Sequence, residues 1–109
     1  MNPQKSKLSV VIKIKAKQGK EEELAQLLTG AAGLVAKTEP QTLYWFATRE
    51  SEGTFTINDG FEREEGLQAH FNGQVAAALK AKASELIEGG WEQGVLPNIV
   101  QSEVLSAIS

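Results

Sequence analysis

From Leu8 to Lys17 the chain alternates. Leu8, Val10, Ile12, Ile14 and Ala16 fall on one side and Ser9, Val11, Lys13 and Lys15 on the other, the period of two that a half-buried strand shows. Gln18 and Gly19 make a turn, and the period changes. Over residues 20–37, Leu24, Leu27, Leu28, Ala31, Leu34 and Val35 recur at three-to-four spacing, which predicts a helix with one apolar stripe. Glu21, Glu22 and Glu23 occupy its first turn, where the helix dipole favours negative charge, and Thr38, Glu39 and Pro40 stop it. Gly30 and Gly33 weaken this helix by about 1 kcal/mol each relative to alanine, and close packing on a sheet is one reason for them. Residues 42–49 predict a second strand in which Tyr44, Trp45 and Phe46 are consecutive, so both of its faces carry an aromatic ring. Residues 50–53, ESEG, read as a hairpin connection to a third strand over residues 54–61, with Phe55, Ile57 and Phe61 at odd positions. Residues 62–88 predict a helix broken at Asn72-Gly73, with Asn72 capping the second segment. Gly89-Gly90 ends it, residues 91–98 read as an irregular connection, and residues 99–106 form a short last strand.

The order is strand, helix, strand, strand, helix, strand. Right-handed crossovers lay both helices on one face of a four-stranded antiparallel sheet. The expected fold class is therefore α+β, a ferredoxin-like βαββαβ sandwich over residues 8–109, preceded by a flexible tail at residues 1–7. One sheet face is left bare, yet the first two strands put apolar side chains on both faces. A homodimer packed sheet to sheet is the expected remedy.

Composition narrows the function classes. The chain of 109 residues is long enough to bury a core. Cysteine is absent, which excludes disulfides, thiolate metal sites and cysteine nucleophiles. With a single histidine besides, only carboxylates remain as ligands, so no metal is expected. A formal charge of −3, with acids and bases interspersed, speaks against a nucleic-acid partner. Lys5, Lys7, Lys13, Lys15 and Lys17 are the contrary sign; their alternate spacing reads as a solvated strand face. No apolar run approaches the roughly eighteen residues needed to span a bilayer. No apolar segment follows MNPQKSK, so no signal peptide and a cytoplasmic location are expected. There is no phosphate loop, dinucleotide fingerprint or nucleophile elbow, so no bound cofactor is expected.

The stretch TFTINDGFEREEGLQAHF, residues 54–71, runs from strand into helix and carries the only histidine, His70. Asp59, Phe61, Leu67 and then His70, nine residues after the aromatic, resemble the antibiotic biosynthesis monooxygenase family. The resemblance extends over residues 8–106 and includes the order of elements. It implies a dimeric α/β barrel and a cofactor-free oxygenase acting on quinol-like or polyketide aromatics; the family also holds haem degraders and an isomerase. Haem-degrading members pair the helix histidine with an asparagine on the first strand and a tryptophan at the aromatic position. This chain has neither, with Phe61 at the latter position, which argues against haem breakdown. A second histidine present in many members is replaced by Val75.

Two readings of His70 stand side by side. As a general base it suits a phenolic proton, because its ordinary pKa lies near neutrality. A phenolate ring is then electron-rich enough to pass an electron to dioxygen. Alternatively it is a structural histidine held by Asp59 or Gln74. Asp59 either orients the imidazole or faces solvent at a strand end, the latter slightly preferred. Asn58 and Asn72 are candidates to bind a substrate oxygen, with helix capping the stronger role for Asn72. Tyr44, Trp45, Phe46, Phe55 and Phe61 are candidate walls of a flat apolar pocket for a small aromatic ligand. Trp91 is a candidate lid or partner contact. The expected function is a cofactor-independent monooxygenase; the alternatives are a non-catalytic, stress-associated binding dimer and an isomerase of a small carbonyl compound.

Overall fold

The structure is a computed structural model and describes residues 2–108. Four strands form one sheet: β1 (Leu8–Lys15), β2 (Thr42–Ser51), β3 (Thr54–Phe61) and β4 (Ile99–Glu103). Their spatial order is β2-β3-β1-β4, with β1–β3, β1–β4 and β2–β3 all antiparallel. Helix α1 (Glu21–Thr38) connects β1 to β2, and α2 (Glu64–Phe71) and α3 (Gln74–Leu86) lead from β3 toward β4. This is the expected α+β ferredoxin-like arrangement. Among the described residues no helix is long and apolar enough to cross a membrane.

The alternation in β1 sorts the sheet into two faces. Val10, Ile12 and Ile14 are buried under the helices, while Val11, Lys13 and Lys15 face outward. Register carries this across the sheet: Val10 pairs with Asp59, Ile12 with Ile57 and Ile14 with Phe55, so the odd positions of β3 also point inward. In turn Asp59 pairs with Trp45 on β2. The core joins these residues to Leu24, Leu28 and Val35 of α1, Leu67 of α2, and Val75, Leu79, Ala83 and Leu86 of α3.

Several local expectations change. Asn72 closes α2 rather than opening α3: its amide donates to the Gln68 carbonyl, and the α3 N-cap is Gly73 with no side-chain bond. A donor amide aimed back at the preceding turn satisfies a helix C-terminus, not an N-terminus. The hairpin turn narrows to Glu52-Gly53 because β2 continues to Ser51. Residues 91–98 are not irregular: they hold α4 (Gly90–Gly94) and a short 3-10 turn, Leu96–Asn98. Gly89 starts α4 at φ 82, the left-handed conformation glycine adopts without strain. β4 ends at Glu103, earlier than residue 106. Gly30 and Gly33 are not close-packed; a Cβ at either meets nothing within 4 Å. Lys17 leaves the lysine row and donates to the Ser84 carbonyl. In the segment expected as a tail, Pro3–Lys5 make a 3-10 turn, Ser6 is buried, and Lys7 bonds to Phe61 and Val104 through its backbone; Met1 lies outside the described residues.

Candidate functional site

The site starts from a proline. Pro40 disfavours helical geometry at the residue before it, and Glu39 accordingly leaves α1 at φ −126, ψ 77. Its side chain turns inward rather than out to water. On α2, His70 points to the same place, three residues after the buried Leu67 and so on the same helical face. From below, the inward parity of β3 delivers Asp59. Three ionisable groups thus meet where almost no solvent reaches: Glu39 is 8% exposed, His70 5% and Asp59 0%.

The imidazole lies between the two carboxylates. Its Nδ1 is 2.6 Å from Glu39 Oε1, and the Thr42 hydroxyl donates to the same oxygen at 2.8 Å. Its Nε2 is 3.3 Å from Asp59 Oδ2, a Coulombic contact outside hydrogen-bond geometry, and both Asp59 oxygens are without a hydrogen-bond partner. The short contact places a proton on Nδ1 and leaves Nε2 the less committed nitrogen. The Phe61 and Phe71 rings flank the imidazole at centroid distances of 5.5 and 5.7 Å. Burial pulls the His70 pKa down, but Asp59 and then Glu39 outweigh it, and the imidazole titrates above its ordinary value. Asp59 is pushed up, first by burial and further by Glu39, against the opposing pull of His70. Both shifts keep protons on the cluster. Because the carboxylates sit on opposite sides of the ring, they do not converge on one point. Among the described residues, no group of three or more His, Cys, Asp or Glu could hold a metal ion.

Beside His70 is a cavity of about 280 Å³ between α1, α3 and the sheet. Leu27, Leu34, Ile57, Leu79 and Val95 are among its apolar walls, with Trp45, Phe71 and Trp91 supplying rings. Among the described residues, His70 is the one titratable side chain lining it. Gly30 opens onto the same space, so the missing side chain there contributes room. A second, polar pocket of about 180 Å³ lies on the far side of the cluster, lined by Thr38, Glu39, Gln41, Thr42, His70 and Gln74 among others.

The structure gathers only part of the candidate set. His70 and Trp45 line the cavity, and Asp59 and Phe61 lie against the imidazole or beneath it. Asp59 does not face solvent: its odd position in β3 turns it into the core. Tyr44 and Phe46 flank Trp45 in β2 and so emerge on the opposite sheet face, away from the cavity. Phe55 is buried two pleats along β3 beneath Arg49, whose guanidinium lies 5.1 Å from its ring centre. Asn58 points outward and bonds to Thr56, and Asn72 is exposed at the α2 terminus. Gln74 does not hold the histidine; Glu39 does. Sequence reasoning treated Glu39 as a helix stop, although an acid trapped before a proline was the available signal.

No family model and no curated protein matches the chain. Among solved structures, a protein of unknown function from Nitrosomonas europaea is 37% identical, aligning over 97% of this chain and 96% of its own with a TM-score of 0.84. This chain belongs to the same family as the Nitrosomonas europaea protein. More distant likenesses are to proteins provisionally named antibiotic biosynthesis monooxygenases. One from Chloroflexus aurantiacus is 15% identical over 95% of this chain and 98% of its own, TM-score 0.71. One from Deinococcus radiodurans is 18% identical over 94% and 96%, also TM-score 0.71. With these this chain shares a fold, as the resemblance at Asp59, Phe61, Leu67 and His70 anticipates.

Proposed function

We propose that this protein binds a small phenol or quinol in the cavity beside His70 and oxidises it with dioxygen. The observation that carries the reading is an apolar cavity with one titratable wall residue among the described residues, held by Glu39 at Nδ1 and without a hydrogen bond at Nε2. The volume supports a ligand of about one or two fused rings, since an apolar cavity of roughly 150 Å³ accommodates benzene. Trp45 lines the same space, and its indole N–H has no partner among the described residues, so it can donate to a ligand oxygen. Names borne by the more distant structural relatives point the same way.

His70 Nε2 takes the phenolic proton, and Asp59 beneath it stabilises the imidazolium that results. The phenolate passes one electron to dioxygen, and the radical pair joins at a ring carbon as a peroxide. His70 returns its proton to the outer peroxide oxygen. The O–O bond breaks, the ring carbon loses its hydrogen as a proton, and water leaves with a quinone behind. One phenol and one dioxygen thus give one quinone and one water.

The exposed sheet face supports a homodimer. Phe46, Asn58, Val11 and Val100 form one row across all four strands, and Phe46 and Val100 are 50% and 58% exposed. Such a row is suited to pairing with its own copy.

An oxygen electrode with a panel of quinols tests the reaction. The expected result is uptake of one dioxygen per substrate oxidised, abolished when Ala31→Phe fills the cavity. Binding of the same quinols without uptake overturns the oxygenase and leaves a binding protein.

A further inference from the structure

We propose that Glu39 is the residue through which His70 exchanges its proton with solvent, by way of the polar pocket between the α1–β2 connection and the α2–α3 junction. The proposal deepens the reading of His70 as a base and rests on it for its catalytic meaning, but its geometry stands alone.

Among the described residues, His70 alone lines both hollows: the apolar cavity on one side and the polar pocket on the other. A ligand filling the apolar cavity excludes water from that side. Asp59 offers no outlet, since it is fully buried and lines neither pocket. Glu39 does: Oε1 meets Nδ1 at 2.6 Å, and the carboxylate itself lines the polar pocket. Its second oxygen, Oε2, has no hydrogen-bond partner although the side chain is more than nine-tenths buried. Oε2 lies against Gly73 at the pocket wall, where even a Cβ would approach within 3.2 Å. A buried carboxylate oxygen without a donor is costly, unless water reaches it at least transiently. Asp59 and Glu39 are the charged groups that contact His70, while Phe61 and Phe71 close the remaining sides.

The step is simple in atoms. The N–H bond at Nδ1 breaks as an O–H bond forms on Glu39 Oε1. The carboxyl group then rotates to carry that O–H to the side of the polar pocket, where the proton passes to entering water. The ring is left neutral with its proton on Nε2, and the reverse sequence recharges it. Glu39 acts through His70 and touches no substrate, so it is a positioning and relay residue.

The single histidine makes the test unambiguous, because its imidazole signals need no assignment. In the ligand-free protein, NMR reads both the His70 titration midpoint and the rate at which its ring N–H exchanges with solvent. Glu39→Gln should lower the midpoint by about one unit, as expected for loss of an adjacent opposite charge. Ala69→Leu, at an exposed position on the rim of the polar pocket, should slow ring N–H exchange about tenfold, equivalent to ~1.4 kcal/mol in the opening barrier. It should leave the midpoint in place. Unchanged exchange in Ala69→Leu overturns the route, and an unchanged midpoint in Glu39→Gln overturns the coupling. Neither readout needs turnover, so failure of the oxygenase reading and failure of the relay are distinguishable.

Discussion

The two faces of the sheet are built from the same strands and differ in kind. Under the helices, Trp45 and Asp59 are cross-strand neighbours in a dry layer with His70 above them. One residue to either side, Tyr44 and Phe46 stack on each other at 6.0 Å on the outer face, among Thr48, Thr56 and Lys13. On the inner face burial holds the proton on Asp59, and the two carboxylates hold it on His70 against the pull of burial. The outer face lets Lys13 and Glu50 form an exposed ion pair at 3.1 Å, the kind that contributes little to stability. The same residue types thus do different work according to strand parity alone.

The hardest blow to the inner face is removal of its central imidazole. His70→Gln leaves two buried carboxylates facing a neutral amide and should cost about 3–5 kcal/mol in urea denaturation, together with oxidase turnover. A loss under about 1 kcal/mol would show that water already reaches the cluster. Protonation probes the same contrast more gently. Both His70 and Asp59 bind protons more tightly when folded, so each contributes stability that is complete below its unfolded pKa and is lost as pH rises through the folded one. For His70 that decline begins above 6.5, and thermal midpoints should fall from there upward. His70→Gln should flatten this part of the curve; an equally steep decline in the variant would remove the histidine from the explanation. On the outer face, Phe46→Asp should leave the circular dichroism spectrum intact and shift light-scattering mass from dimer to monomer. A wild-type monomer would dispose of the pairing. The smallest effect belongs far from both faces: Gly33→Ala, with open space around its Cβ, should raise stability by up to about 1 kcal/mol through helix propensity.

Periodicity made most of this fold legible. Val10, Ile12 and Ile14 declared the inner face of β1, and Leu24, Leu28 and Val35 the buried stripe of α1. β3 falls on residues 54–61 as expected, and the helix break falls at Asn72-Gly73. What escaped was whatever depends on register between strands. Nothing local says which of Tyr44, Trp45 and Phe46 turns inward; pairing of Trp45 with Asp59 decides it. α4 is five residues long, too short for any period to emerge. At the site, His70 and Asp59 could be named because they flank one strand–helix turn. Glu39 lies 31 residues from His70 in sequence, and only the packing of the α1–β2 connection against α2 brings them together.

One contact on the outer face constrains how this chain can vary. The Tyr44 ring rests over Gly60, so that a methyl group added there would collide with the ring edge at Cε2. Positions 44 and 60 are therefore bound by mutual exclusion: a relative that acquires a side chain at the second must surrender bulk at the first. Residue 60 is joined by one peptide to Asp59, so the tightest contact of the outer face sits back to back with the carboxylate hidden on the reverse side.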